Sequence, residues 1–238
     1  MPQNYPIHII ARIYNDFSGK FGIPRQSGLV NEMDSVIVFE PEYRQPEALR
    51  GLETYSHLWL IWQFSEVAAR RKSPEEWAPT VRPPKLGGNT RMGVFATRSP
   101  NRPNPIGLSS VELTRIEWGT EAGAVLHVAG ADLMNGTPIF DIKPYLAYTD
   151  AHPEAECGFA LQRKEGSLEV VCPSALLAAI PAQKQNGLLQ ALAQDPRPAY
   201  QDVPDRMYYM PFGGLEIGFT VINKTLTVHQ VTKIDNSN

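Results

Sequence analysis

The sequence predicts a mainly β N-terminal domain over residues 1–150, an antiparallel barrel or sandwich, followed by a small α+β C-terminal domain over residues 151–238. Three observations carry this. Short runs rich in β-branched and aromatic residues recur through the first two-thirds, separated by Gly, Pro, Asn and Asp clusters. Between them stands no helical crossover of a dozen residues, which a parallel α/β sheet needs. Near Asp150 the texture changes, first to a polar stretch and then to helical periodicity.

In order, the predicted strands are Ile7–Ile13, Val36–Phe39, Leu58–Phe64, Gly93–Thr97, Ser110–Leu113, Ala124–Val128 and Ile139–Ile142. Leu58–Phe64 is apolar on both faces, so one face is a candidate for packing against a second subunit. His152–Glu156, with Pro153, reads as an exit turn or linker. A short strand at Leu168–Cys172 precedes the best helical candidate, Ser174–Gln194. There Ser174 is placed to cap the start, and Pro181 and Gly187 are expected to split or kink the helix. Strands return at Tyr208–Pro211, Leu215–Ile222 and Leu226–Thr232, with Asn223 and Lys224 at a hairpin tip.

With 42% hydrophobic and 20% charged residues, the chain has the composition of a packed globule rather than a disordered segment. No apolar run reaches the length needed to span a bilayer, and the first residues lack a signal-peptide pattern, so a cytoplasmic location is expected. Cys157 and Cys172 are too far apart for a CxxC pair, and no His or Cys cluster has metal-ligand spacing. Both are expected to be reduced, partly buried thiols, with no metal bound.

Net charge is −3, yet its distribution is uneven. Between Trp77 and Val111 there is no Asp or Glu, while Arg82, Lys85, Arg91, Arg98 and Arg102 all fall there. Positive charge set among turn formers is aimed at an anion rather than spread over a helix face. Pro100, Pro103 and Pro105 withhold amide donors and fix φ, which makes Arg98–Pro105 a stiff loop presenting Arg98, Ser99, Arg102 and Asn104. There is no GxxxxGK[ST] loop, GxSxG elbow, HExxH or GxGxxG fingerprint, so P-loop phosphoryl transfer and a Rossmann-type cofactor site are excluded by signal.

Several segments, taken in order, resemble one family: Pro24-Arg-Gln26, Gly51–Trp59, Arg82–Asn89, Gly93–Gly107, Asp132-Leu-Met-Asn-Gly-Thr-Pro138, Asp141-Ile-Lys-Pro-Tyr145 and Gln194-Asp-Pro-Arg-Pro198. The chain is similar, from about Ile7 to Tyr200, to the TrmO (YaeB, TsaA-like) family. That resemblance implies methylation of N6 of threonylcarbamoyladenosine at position 37 of tRNA, with S-adenosyl-L-methionine as donor. It further implies a single-sheet antiparallel β-barrel, working as a homodimer, with the anticodon arm of tRNA as partner.

Carried over motif by motif, donor binding falls to Pro24, Arg25, Gln26, Ser65, Glu66, Arg98, Leu108, Asp132, Leu133, Met134 and Asn135. Two departures stand out: the family usually has Asp where Asn135 stands, and His with Gln or Arg where Ser65 and Glu66 stand. The target nitrogen belongs to a urea and is a poor nucleophile until its proton begins to leave, so a general base would help. Asp141 is the candidate, with Lys143 and Tyr145 as alternatives or electrostatic partners; the competing reading of Asp141 is a structural acid paired with Lys143. Arg82, Lys85, Arg91, Arg102 and Asn104 are assigned to the RNA, with Arg102 the receptor for the threonine carboxylate. His57 is read as a buried histidine bonded to backbone, the Trp59 and Trp62 pair as core or interface, and Gln194–Tyr200 as a rigid connector supporting tRNA contact. A non-catalytic β-barrel that binds RNA or a nucleotide-like ligand for regulation is the alternative function.

Overall fold

The computed structural model describes residues 5–73, 76–161, 167–197, 203 and 205–234. Six antiparallel strands close into a barrel, and a four-stranded sheet with two helices follows. The barrel strands are β1 (Ala11–Tyr14), β2 (Asp34–Phe39), β3 (His57–Gln63), then β6 (Ile106–Thr120), β7 (Gly123–Ala129) and β8 (Thr137–Pro144). Between β3 and β6 lie the short helix α1 (Ser65–Arg70) and a two-residue ladder of β4 (Thr80–Val81) and β5 (Met92–Gly93). The barrel order is β1-β2-β7-β6-β3-β8, closed by β8 pairing back onto β1.

Alternation explains the closure. In β3, Leu58, Leu60 and Trp62 point inward and are buried, while Trp59, Ile61 and Gln63 point outward and are half-buried. Ile13, Ile37, Leu126, Val128 and Ile139 fill the same interior. Closure leaves no unpaired sheet edge.

After the barrel come α2 (Ala147–Asp150), β9 (Glu169–Val171), α3 (Ser174–Leu177), α4 (Ala182–Ala193), β10 (Tyr208–Phe212), β11 (Leu215–Ile222) and β12 (Thr225–Lys233). The sheet order is β10-β11-β12-β9, with β9 parallel to β12. Leu188, Ala191 and Leu192 of α4 pack on Met210, Phe212, Ile217 and Phe219 to form a second core. That core takes in residues from the long β1–β2 connection: Phe17, Val30 and Met33 are buried in it, and Phe21 and Ile23 pack against it. Asp16 completes the clamp, accepting from the Lys184 ammonium at 2.6 Å.

Several local expectations differ from the structure, among them the partial burial expected of Cys157, which is exposed. Strand β6 runs for 15 residues rather than four, because it pairs with β3 along its first half and with β7, through bulges, along its second. Gly93–Thr97 is mostly not a strand; Val94–Ala96 form a 3₁₀ turn closed by Thr97, whose amide and hydroxyl both donate to the Val94 carbonyl. Ser174 does not cap: Pro173 holds the N-cap position, and Ser174 is the first helical residue. Pro181 does divide the helical span, but Gly187 lies within α4, where a Cβ would meet Met33 Cγ at 2.3 Å. Finally, His57 is exposed and its Nδ1 lies 3.0 Å from Ser56 Oγ. Ser56 precedes the ladder, so strand alternation does not separate the pair. Cys157 is exposed and Cys172 half-buried, neither in a disulfide; burial pushes the Cys172 thiol up.

Candidate functional site

A cleft of about 690 Å³ opens along one end of the barrel. Three segments build it. The first is the end of β3 with the start of α1, from Trp62 to Val67; the second is the Pro-rich loop with the start of β6, including Thr97, Arg98, Arg102 and Leu108. The third is the β1–β2 connection, from Ile23 to Ser27, facing Asp132 and Met134 beyond the end of β7.

At its base a hydrogen-bond chain links three of these parts. Trp62 Nε1 donates to Ser109 Oγ at 3.0 Å, and Ser109 Oγ donates to Asp132 Oδ1 at 2.5 Å. The indole fits because Gly107 lies opposite it; a Cβ there would come within 2.2 Å of the ring. Burial pushes the Asp132 carboxyl above the usual aspartate range, opposed by hydrogen bonds from Ser109 and from the amides of Asp132 and Ser27, and by the Arg98 charge. The result is a half-buried carboxylate turned toward a cleft whose rim is cationic.

The donor-site candidates fall into two groups. Pro24, Arg25, Gln26, Ser65, Glu66, Arg98, Leu108, Asp132 and Met134 line the cleft. Arg98 donates to Gln26 Oε1, joining the second segment to the third. Arg25 reaches the other way, its Nη2 donating to the carbonyl of Arg197 at 3.0 Å and more weakly to that of Asp195. Arg197 is itself buried and paired with Asp195 at 2.8 Å, a rigid mount for the Arg25 fork. Pro198 and Tyr200, the end of that connector segment, lie outside the described residues.

Leu133 and Asn135 stand apart from the cleft lining. Leu133 is buried in the barrel core. Asn135 is exposed in the β7–β8 turn, where its Oδ1 accepts from the Asn15 amide at 3.0 Å. A carboxamide oxygen accepts that bond as a carboxylate would.

Asp141, Lys143 and Tyr145 lie on or beside the outer face of β8, outside the lining. Lys143 Nζ is 2.9 Å from Asp141 Oδ2, and the pairing holds the Lys143 ammonium above its ordinary range. Lys143 sits opposite Trp59 in the β3 register, and Trp59 lines the cleft edge. Tyr145 packs beside Trp59, whose Nε1 donates to Asp150 at 2.8 Å; this bond and one from the Leu146 amide hold the Asp150 carboxyl low.

Among the RNA candidates, Arg102 lines the cleft, with Nη1 donating to the carbonyls of Thr97 and Ser99 at 3.0 and 3.1 Å. Arg71 grips the same loop from outside, through the carbonyls of Arg102 and Pro103. Arg82, Arg91 and Asn104 are exposed beyond the cleft, Arg91 donating to Thr80 Oγ1 at 2.7 Å. Lys85 belongs to a 3₁₀ turn, Pro84–Leu86, and its side chain lies outside the described residues.

Sequence reasoning did not single out Trp62 and Ser109 for the site. A signal existed: Ser109 occupies an inward position of β6, and an inward hydroxyl requires a buried partner. Among the described residues, no group of three or more His, Cys, Asp or Glu could hold a metal ion, and no helix is long and apolar enough to cross a membrane.

Comparison with known proteins bears on family and fold. Residues 12–151 match the tRNA-methyltransferase O N-terminal domain and residues 168–234 the TrmO C-terminal domain. A tRNA (adenine(37)-N6)-methyltransferase from Eikenella corrodens is 45% identical over 183 residues, covering 76% of this chain and 99% of that protein. Its counterpart from Escherichia coli strain K12 is 41% identical over 205 residues, covering 84% and 85%. A crystal structure of TrmO from P. aeruginosa superposes with a TM-score of 0.76 at 32% identity, covering 98% of this chain and 99% of that one. With both domains matched and nearly the whole length shared, the chain belongs to the tRNA-methyltransferase O family.

Proposed function

We propose that this protein methylates N6 of the adenosine at position 37 of tRNA, in its threonylcarbamoylated form, using S-adenosyl-L-methionine. The observation that carries the reading is the half-buried Asp132 carboxylate, held by Ser109 inside a cleft rimmed by Arg98 and the basic Pro-rich loop. The cleft suits that donor: its volume is in the range of cofactor sites, and Trp62, Phe64, Leu108 and Met134 give apolar surface beside the charged groups. When bound, the donor supplies a methyl group already activated by a sulfonium.

The protein's residues then have limited chemical work. Asp132 offsets positive charge in the cleft, Arg98 and Gln26 fix the wall facing it, and the apolar side chains exclude water. For an in-line displacement, alignment and desolvation provide most of the rate. Arg82, Lys85 and Arg91 hold the anticodon arm by its phosphates. Arg102, at the junction of loop and cleft, is placed to meet the threonine carboxylate with the donors its loop bonds leave over. The outward row of β3, with Trp59, Ile61 and the exposed Leu108 beside them, supports assembly as a homodimer.

Mass spectrometry of tRNA nucleosides, from cells with and without the gene, tests the reading. Loss of the N6-methyl group from threonylcarbamoyladenosine, with the unmethylated nucleoside accumulating, is the expected result. An unchanged nucleoside profile overturns it.

A further inference from the structure

We propose that Trp77 and Phe95 form a stacking platform for an unpaired base of the RNA that the adjacent cleft acts on. The inference rests on the tRNA reading above. The Phe95 side chain is 71% exposed and that of Trp77 38%, and neither belongs to either core. Their ring centroids are 6.0 Å apart with 33° between planes, so together they present one tilted aromatic surface.

The pair is held stiffly although it faces outward. Val94, next to Phe95, is buried, and its amide donates to the Pro79 carbonyl at 2.9 Å. The β4–β5 ladder pairs Thr80 with Gly93, and the Ala78 amide donates to Asn101 on the Pro-rich loop. Exposing a large ring in a fixed turn forgoes burial that would stabilise the fold, which a mere surface connector gives no reason to do.

Charge selects the occupant. The rings sit on the segment from Trp77 to Val111, which has no acidic residue and carries the exposed Arg91 and Arg98; Glu76, just before it, accepts from the Lys72 amide. An exposed aromatic surface carried on a basic, acid-free segment fits a nucleobase with its phosphates better than an apolar protein face. Position agrees: Phe95 is two residues before Thr97, which lines the cleft, so its backbone lies at most about 7 Å along the chain from the cleft wall. A nucleotide neighbouring the target in the anticodon loop is the corresponding ligand.

The test uses the full-length chain and tRNA with 2-aminopurine next to position 37. Wild-type protein is expected to quench the probe. Phe95→Leu, which keeps apolar bulk but removes the π-face, should lose the quench and weaken tRNA binding roughly 5- to 150-fold. The dependence on salt should be unchanged, because no phosphate contact is lost. Phe95→Tyr should restore both signals, and donor binding by calorimetry should be the same in all three proteins. Trp77→Leu repeats the test on the other ring should Phe95→Leu lose donor binding. Equal quenching and affinity in Phe95→Leu overturns the platform while leaving the tRNA reading intact. Weakened self-association with unaltered tRNA affinity overturns it in favour of a protein contact, and a wild-type chain that binds no tRNA removes both readings.

Discussion

The two walls of the cleft are made differently. On one side Trp62, Gly107 and Leu108 belong to barrel strands, and their places are fixed by the β3–β6 ladder. On the other, residues 23–27 belong to a connection with no ladder of its own, and its apolar side chains are buried in the C-terminal core. Strand pairing sets the first wall, whereas the second is set by a domain that, among the described residues, lines none of the cleft itself. The C-terminal domain is therefore part of the site's frame, whatever else it contacts.

The largest expected effect comes from breaking that arrangement outright. Deleting residues 152–238 exposes Phe17, Phe21, Ile23, Val30 and Met33 and removes the carbonyls that receive Arg25. The barrel keeps its own core, so its β-type circular dichroism should survive, while calorimetry should detect no donor binding up to the millimolar range. Donor binding at wild-type affinity would show that the second wall needs no support.

Next in size is Asp132→Asn, a change just beyond the end of β7, at a side chain held to the ladder-built wall by Ser109, that keeps an acceptor for Ser109 and removes the charge. Donor affinity at neutral pH should fall roughly ten- to a hundredfold, as expected for loss of a charged partner. The sign of the pH effect follows from the raised pKa of Asp132. In the wild type, affinity should weaken on acidification at a higher pH than an ordinary aspartate would give, and the variant should lack that dependence. Folding responds oppositely. A carboxyl raised by burial destabilises the fold when ionised, and this cost disappears below the unfolded-state pKa. Thermal unfolding at neutral pH should therefore find Asp132→Asn at least as stable as the wild type.

A smaller effect is expected from Gly187→Ala, which acts on the second wall from behind. The new Cβ would meet Met33 Cγ at 2.3 Å and the Glu32 carbonyl at 3.1 Å. Overpacking of this kind costs about 1–3 kcal/mol, partly offset by the better helix propensity of Ala. A lower Tm with a loss of donor affinity severalfold or less is the expected pair of readings. An unchanged Tm would mean that α4 and the β1–β2 connection can slide past each other.

How legible all this was depended on range along the chain. Strands such as Leu215–Ile222 could be read because large apolar side chains recur at every second position, Leu215, Ile217, Phe219 and Val221, a signal contained in a few positions. The second half of β6 could not, since Glu112, Arg115 and Glu117 interrupt any apolar run and the pairing that extends the strand comes from β7. Within the site, Pro24–Gln26 and Asp132 were named through motif resemblance alone, whereas Arg98 also stood out in the acid-free, Pro-rich run. The Trp62–Ser109–Asp132 chain joins residues 47 and 23 positions apart, and only the closed barrel brings them together. The role of the β1–β2 connection was equally hidden: Phe17, Val30 and Met33 look like ordinary apolar residues until the second core is seen around them.

The smallest expected effect concerns a second carboxylate, Asp141, whose surroundings contrast with those of Asp132. Asp132 is turned into the cleft with a raised pKa, whereas Asp141 lies on the outer face of β8, one oxygen 2.9 Å from Lys143 Nζ and the other accepting from the Ile142 amide. A base used in methyl transfer needs a direct path to the proton on the target nitrogen. Asp141 has one only if the RNA crosses the β3 edge past Trp59, which stands opposite Lys143 in register. If alignment within the cleft provides the rate, Asp141→Asn removes only a surface ion pair, worth about 0–1 kcal/mol, and kcat/KM should stay within about fivefold of the wild type. Single-turnover methylation with saturating donor separates the cases. A loss of roughly 10²–10⁴ with donor binding unchanged would establish Asp141 as the general base. It would also move the reacting nitrogen from the middle of the cleft to its β3 edge, so that the outer barrel face, not the C-terminal support, limits the chemistry.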